Sequence, residues 1–217
     1  KSILMKAIRL RISIIFSGFL MASGSEAYRQ HMQETIALYD SVKTMDDYRE
    51  IVNRFERLAQ MEQGEWLPSY YAGLTYVYMS FVKGLEDDQR DDYLDQAERW
   101  AQQAEQIGGE NVETVILHGY IKMAKLTVSP ALRGMTLSGK ISALFSKALA
   151  MNPQNPRANL MQGRWKYGSA QFFGSGTEEA CAYFSNAQAL YAQQAKDQGI
   201  APAWGEGMTQ RMLKSCK

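Results

Sequence analysis

The sequence contains little cysteine and histidine, two of each in 217 residues, and its net charge is only +1. It has no HExxH motif, so we predict no metal site and no cofactor. The balanced charge makes no case for binding nucleic acid. Valine is also scarce, with 7 residues against 24 alanines and 17 glutamines, and this balance favours helix over sheet.

The most apolar segment of the chain lies near its N-terminus and is short. Basic side chains, among them Lys6, Arg9 and Arg11, precede an apolar run over residues 12–21, and small residues follow up to Ala27. This order predicts a secretory signal peptide over residues 1–27, with a retained N-terminal helix as the alternative. About 20 apolar residues are needed to span a bilayer, so we expect no stable membrane span after cleavage. Residues 28–217 would then form one exported domain in a bacterial periplasm.

Charge is distributed unevenly along this domain. Residues 28–113 carry 8 basic and 18 acidic side chains, a net charge of −10, whereas residues 114–217 carry 12 and 4, a net charge of +8. In a linear fold, such a sequence predicts an electrical dipole. Self-association of the two halves, head to tail, is one function that this asymmetry allows.

Helical periodicity repeats along the chain. Small or apolar residues recur at i, i+4 and i+7, which lie on one helical face. The four triplets are Ile51, Phe55 and Leu58; Ala97, Ala101 and Ala104; Ile141, Phe145 and Ala148; and Ala180, Phe184 and Ala187. Glycines recur with nearly the same period, at Gly73, Gly119, Gly163 and Gly207. Because glycine within a helix costs about 1 kcal/mol relative to alanine, the series predicts close contacts between helices.

This pattern resembles the tetratricopeptide repeat (TPR) family, most specifically from Phe145 to Gly163, where Ala148 precedes a turn of sequence Asn-Pro-Gln-Asn-Pro. The resemblance implies an all-α fold, an α-solenoid of about four antiparallel helix hairpins plus a closing C-terminal helix. The expected helices lie near residues 28–43, 46–62, 66–83, 90–107, 112–128, 138–150, 156–170, 177–196 and 203–215.

The same resemblance implies a concave face that is formed by the first helix of each hairpin and binds a partner. The implied partner-binding residues are Tyr70, Leu74, Tyr78, Tyr120, Arg164, Tyr167 and Trp204. Tyrosine, tryptophan and arginine dominate protein interfaces because they combine apolar area with a polar tip. The alternative is that some of these tyrosines complete the core between helices.

Three long connections within the hairpins are expected at one edge of the stack. They are acidic at Gly84–Asp92, basic at Ser129–Lys140 and aromatic at Gly168–Thr177. The third contains Phe172 and Phe173, which either fold back on the core or form a contact point, because two exposed phenylalanines are costly in water.

The two cysteines are positioned for a disulfide. Cys181 lies about 15 residues before the end of its predicted helix, and Cys216 about 13 residues after the start of the next. If these helices are antiparallel, both thiols lie at the same height, and export supplies an oxidising compartment. The alternative is one buried thiol and one terminal thiol.

No segment makes a strong case for catalysis. Residues 134–140 match part of a phosphate-binding loop, but Ile141 stands where a magnesium ligand is needed. His31 and Glu34 lack a third metal ligand, and the acidic run over residues 86–92 is typical of a helix N-terminus. We therefore predict a non-enzymatic scaffold that binds a protein or peptide. The alternatives are a small-ligand or glycan binding protein that serves an envelope transport system, and a structural subunit of an envelope complex.

Overall fold

A computed structural model describes residues 26–195 and 197–216 of the chain. These residues form helices joined by short connections, with no strand among them. Helix α1 covers residues 26–37 and runs into a 3-10 helix, Leu38–Ser41. The other helices are α2 (Met45–Met61), α3 (Leu67–Met79), α4 (Asp87–Gly108), α5 (Val112–Val128), α6 (Pro130–Met151), α7 (Pro156–Phe173), α8 (Glu178–Gln193) and α9 (Glu206–Lys214). The predicted all-α fold is confirmed.

The helices stack in chain order around one continuous core. Helices α3 and α4, α5 and α6, and α7 and α8 pack as hairpins, with α2 against α3 and α9 against α8. All four triplets are buried, and none of their residues is more than 7% exposed. The i, i+4, i+7 pattern therefore marks the faces that join neighbouring helices, as expected of a helical repeat.

Three of the four recurring glycines lie where helices approach closely. A Cβ atom on Gly163 would lie 2.6 Å from Cε1 of Phe184, and one on Gly119 would overlap the ring of Phe145. At Gly73 the neighbour is the backbone of α4, with the carbonyl oxygen of Ala97 at 3.2 Å from that position. Gly207 differs because it is exposed on α9. The glycine series thus predicts packing correctly in the hairpins and not in the closing helix.

Polar side chains cap the starts of several helices. Thr44 accepts a hydrogen bond from the backbone N–H of Asp47 at the start of α2. Asn111 caps α5, and Asn155, in the Asn-Pro-Gln-Asn-Pro turn, caps α7 by accepting from the N–H of Ala158 at 3.0 Å. Such caps satisfy backbone donors that have no partner within the helix.

Acidic side chains of the first half of the chain form ion pairs with basic side chains of the second half on adjacent helices. Acidic side chains of α4 face basic side chains of α5 and α6, with Lys122 at 3.2 Å from Glu98 and Lys125 at 2.8 Å from Asp95. Arg133 of α6 forms a two-pronged pair with Asp91 of α4. The opposite charges of the two halves therefore meet inside one molecule, and self-association through them stays a prediction.

The predicted connection at Ser129–Lys140 is wrong. Helix α6 begins at Pro130, so a single residue, Ser129, joins it to α5. Proline is well tolerated in the first turn of a helix, and the two glycines that suggested a loop lie within α6. Residues 134–140 are accordingly helical, and their backbone N–H groups are not arranged around a phosphate site.

The other two predicted connections are shorter than expected. Helix α4 begins at Asp87, so Asp87 and Asp88 occupy its first turn and complement the helix dipole. Helix α7 continues to Phe173 and ends at Gly174, whose φ of 68° is a left-handed conformation that favours glycine.

The predicted disulfide is confirmed. Cys181 of α8 is bonded to Cys216 just beyond α9, with their Cα atoms 5.8 Å apart. The predicted signal peptide lies outside the described residues, except that residues 26 and 27 belong to α1. Across residues 26–195 and 197–216, no helix is both long enough and apolar enough to cross a membrane.

Candidate functional site

A cleft of about 1050 Å³ runs along the inner face of the stack. Helices α3, α5 and α7 contribute to its lining, together with the end of α1 and the segment around α9. Its lining residues are Ile36, Ala37, Tyr39, Asp40, Lys43, Tyr48, Tyr71, Leu74, Tyr78, Phe81, Val82, Lys83, Tyr120, Arg164, Ala203, Trp204, Gly205, Gly207, Met208 and Arg211. The inner helices α3, α5 and α7 thus share this cleft with both ends of the domain.

Aromatic rings dominate this surface. Tyr78 contacts Tyr39 edge-on at 5.8 Å and Tyr48 at 6.4 Å between ring centroids. Tyr120 stacks with Phe81 at 6.1 Å on one side and with Trp204 at 5.9 Å on another. The cleft is therefore lined by two groups of rings, which suit a flat apolar ligand.

Burial raises the pKa of several tyrosines in the cleft. It raises the pKa of Tyr48 and raises that of Tyr78 well above its usual value. Burial also raises the pKa of Tyr39, although its hydrogen bond with Thr75 opposes the shift. Tyr39, Tyr48 and Tyr78 thus contribute uncharged rings and neutral hydroxyls.

The C-terminal segment before α9 forms one wall of the cleft and is held by tyrosine hydroxyls. Tyr71 donates to the carbonyl oxygens of Ile200 and Ala201, at 3.2 and 3.0 Å. Tyr191 of α8 donates to the carbonyl oxygen of Trp204 at 2.8 Å. Because three hydrogen bonds fix its backbone, this segment presents Trp204 to the cleft in a defined position.

A buried ion pair lies beneath the same wall. Arg157 contacts Glu113 through two hydrogen bonds of 2.9 and 2.7 Å, and both side chains are at most 9% exposed. Burial alone would lower the pKa of Arg157, but Glu113 holds that pKa above its usual value. Asn155 and Tyr70 donate to the same carboxylate. The pair is thus extensively hydrogen-bonded, as a buried charge requires.

The charged lining of the cleft is predominantly positive. Four basic side chains, Lys43, Lys83, Arg164 and Arg211, accompany the single acidic side chain Asp40. The cleft thus has a local excess of three positive charges in a chain of net charge +1. Such a surface favours a ligand that carries negative groups.

The structure brings most of the predicted partner-binding residues together. Leu74, Tyr78, Tyr120, Arg164 and Trp204 all line the cleft. Tyr70 is fully buried beneath it, where its hydroxyl accepts from Trp204. Tyr167 lies outside the lining and packs near Phe184, with 6.2 Å between the ring centroids.

Phe172 and Phe173 lie at the end of α7, away from the cleft. They are 77% and 79% exposed and contact each other at 5.0 Å between centroids. They do not fold back on the core, so that alternative is wrong. Their role as a contact point stays a prediction.

Sequence reasoning missed the parts of the cleft contributed by the two ends of the domain. Tyr39, Tyr48 and Lys43 come from the region around the start of α2, and Met208 and Arg211 from α9. Repeat positions gave no signal for these residues because the terminal helices depart from the repeat. The aromatic pair Tyr39 and Tyr48, on either side of a short connection, was the available signal.

No metal site is present in the described part of the chain, where three or more suitable His, Cys, Asp or Glu side chains do not cluster. His31 and Glu34 form an exposed pair at 3.5 Å. His118 instead contacts Glu105 of α4 at 3.0 Å. Both histidines lie outside the cleft.

Comparison with known proteins gives a match among solved structures. No protein-family model matches the chain, and no curated protein matches it. Among solved structures, the chain is similar to the HusA haemophore from Porphyromonas gingivalis, with a TM-score of 0.76 and 30% sequence identity. The similarity covers 88% of this chain and 92% of the other.

Proposed function

We propose, on the premise that the chain belongs to the family of the HusA haemophore, that it is an exported protein that binds haem or a related flat tetrapyrrole. The ligand would occupy the aromatic cleft. This proposal favours the small-ligand alternative over a scaffold for a protein partner. It assigns the chain a binding role without catalysis, which agrees with a relative that is a haemophore.

The observation that carries the proposal is the combination of aromatic rings and positive charge in one cleft. Haem is a flat, largely apolar ring system with two carboxylate groups. The rings of Tyr78, Phe81 and Trp204 are at least partly exposed and offer faces and edges for stacking, and the basic side chains of the lining complement the carboxylates. The cleft volume of about 1050 Å³ suits a ligand of this size.

The cleft offers no histidine or cysteine to the haem iron among the described residues. The two histidines lie elsewhere, and the two cysteines are bonded to each other. We therefore assign the binding energy to stacking and charge. Tyrosine hydroxyls and the thioether of Met208 are the side chains of the lining that could approach the iron.

The proposal also covers the compartment in which the protein acts and the type of helical repeat that it contains. A disulfide between Cys181 and Cys216 suits an oxidising compartment, which supports an exported protein. We propose the bacterial periplasm as its location and a TPR-like origin for its hairpins, on the residue pattern described above. A protein partner stays a prediction, with Phe172 and Phe173 as its candidate contact.

Titration of the purified protein with haem tests the proposal. We expect saturable binding, seen as a change in visible absorption and as quenching of tryptophan fluorescence. Tyr78→Ala should weaken binding about tenfold or more, because it removes a ring from the lining. Tyr167→Ala is the matched control, since this tyrosine lies on an inner helix but outside the cleft. Absence of saturable binding, or equal losses in both variants, would contradict a haem site in the cleft.

A further inference from the structure

Arg164 of α7 is a half-buried cation on the lining of the cleft. Its guanidinium carbon lies 5.1 Å from the centroid of the Tyr120 ring. Its one hydrogen bond to another side chain is a weak contact from Nη1 to the sulfur of Met161, at 3.7 Å. The guanidinium therefore rests on an aromatic face, with most of its five donors unused by the chain.

Other half-buried or buried cations behave differently. Within the described ranges, each such arginine or lysine except Arg164 has a carboxylate oxygen within 4.0 Å. They are Arg54, Arg90, Lys122, Lys125, Arg133, Arg157 and Lys166. Arg164 thus stands apart from a consistent pattern of charge pairing in this molecule.

A cation that is partly removed from water is destabilised unless an anion or a dipole compensates for the lost hydration. The face of Tyr120 compensates in part, because its π-electrons attract the guanidinium. No described carboxylate lies within 4.0 Å of Arg164, so the remaining requirement is an anion that enters the cleft. A planar guanidinium is well suited to a carboxylate, which it can bind through two parallel hydrogen bonds.

We propose that Arg164 is the specificity-determining residue that binds a carboxylate of the ligand. The inference rests on the proposed function and names the ligand class more closely, as a flat ring system with at least one free carboxylate. The carboxylate pairs with the guanidinium while the ring system lies along the exposed faces of Phe81 and Trp204. Lys43, Lys83 and Arg211 are exposed, so water and salt screen their contribution more strongly.

The test compares haem with its dimethyl ester, which keeps the ring system and removes both negative charges. Both ligands are titrated into the wild-type protein, Arg164→Gln and Arg164→Lys in one detergent-containing buffer. We expect the wild-type protein to prefer the acid by about 10- to 100-fold. The preference should fall to nearly one in Arg164→Gln and be intermediate in Arg164→Lys, since lysine lacks the planar fork.

Lys166→Gln is the matched control, because it removes the same charge from the same helix at a half-buried position outside the lining of the cleft. We expect it to keep most of the preference for the acid. Equal weakening of acid and ester in Arg164→Gln would overturn the inference, because it would show that Arg164 acts only by packing on Tyr120.

Two further outcomes separate this inference from the proposed function. If the wild-type protein binds the acid and the ester equally well, the carboxylate role is wrong while tetrapyrrole binding stands. If it binds neither ligand, the proposed function fails, and the role of Arg164 fails with it.

Discussion

The indole Nε1 of Trp204 donates a hydrogen bond of 2.8 Å to the hydroxyl of Tyr70, which lies 134 residues earlier in the chain. The same hydroxyl lies 3.3 Å from Glu113, within the buried ion pair with Arg157. Hydrogen bonds thereby connect the wall of the cleft that carries Trp204 to the buried ion pair of Glu113 and Arg157. The position of this wall depends on contacts with α3, α5 and α7, and these helices are far from the wall in the sequence.

Replacing Tyr70 by phenylalanine should disturb this connection. The change removes the acceptor for Trp204 and one donor to Glu113, so we expect a loss of about 1–2 kcal/mol in the free energy of unfolding. The indole would also lose its fixed orientation, which should weaken haem binding. Chemical denaturation gives the stability, and the indole N–H resonance of Trp204 reports its environment directly.

Tyr76→Phe is the control for this variant. It lies on the same helix, and its hydroxyl donates to Glu56 at 2.7 Å on the side away from the cleft. We expect a comparable loss of stability but no change in the Trp204 resonance or in haem affinity. An unchanged Trp204 resonance in Tyr70→Phe would contradict the positioning role of Tyr70.

The disulfide should stabilise both the fold and the cleft. Cys181 and Cys216 are 35 residues apart, and closing such a loop stabilises by about 4 kcal/mol in the chain-entropy model. Cys181→Ser combined with Cys216→Ser should lower the melting temperature and weaken haem binding, because α9 carries Met208 and Arg211. Thermal unfolding with and without a reductant measures the first effect, and the double variant itself should not respond to the reductant.

Gly163 of α7 should not tolerate an added methyl group. A Cβ on Gly163 would overlap the ring of Phe184, so we expect Gly163→Ala to destabilise by about 1–3 kcal/mol through overpacking. Gly134 of α6 has open space around the same position, and Gly134→Ala should stabilise by about 1 kcal/mol. Denaturant midpoints compare the two variants. Equal changes in the stability of the two variants would show that close packing against Phe184 does not require glycine at position 163.

The ion pair between α4 and α6 should make stability depend on pH. The Arg133 guanidinium donates to Asp91 and lowers the pKa of that carboxyl group in the folded state. A lowered pKa means that this stabilisation is present above the unfolded pKa, about 3.9 for aspartate. It is lost as the pH falls through the folded value.

Comparison of the wild-type protein with Arg133→Gln tests this dependence. At pH 6 the variant should be less stable, and the difference should shrink as the pH is lowered from 4 to 2.5. Asp91→Asn should show the same convergence with the wild-type protein. A difference that stays constant over this range would exclude Asp91 as the titrating group.

Much of the fold follows from local patterns in the sequence. The buried triplets give the packing faces of α2, α4, α6 and α8, and the predicted helix over residues 112–128 agrees with the structure. The error at Ser129–Lys140 arises because Gly134 and Gly139 suggest a loop, whereas α6 begins at Pro130 and continues through both glycines. A glycine within a helix costs only about 1 kcal/mol relative to alanine, so it does not by itself end a helix.

The candidate site was only partly predictable. Tyr78, Tyr120 and Arg164 follow from the inward positions of the inner helices, and the structure places them in one cleft. Tyr70 and Tyr167 occupy similar positions, but one is covered by the C-terminal segment and the other packs near Phe184. Whether an inward side chain is exposed depends on what packs over it, which the helical period does not specify.

The sequence by itself determined the all-α fold and the packing faces of four helices, because both depend on periodicity within single elements, and it predicted a disulfide from the spacing of the two cysteines. Only the tertiary structure decided which residues form the cleft. The C-terminal segment lies across the inner face and reaches Tyr70 and Tyr71, so residues about 130 positions apart become neighbours. The same packing leaves Arg164 half-buried without an acidic partner among the described residues, since pairing of charges depends on three-dimensional distance rather than on order in the chain.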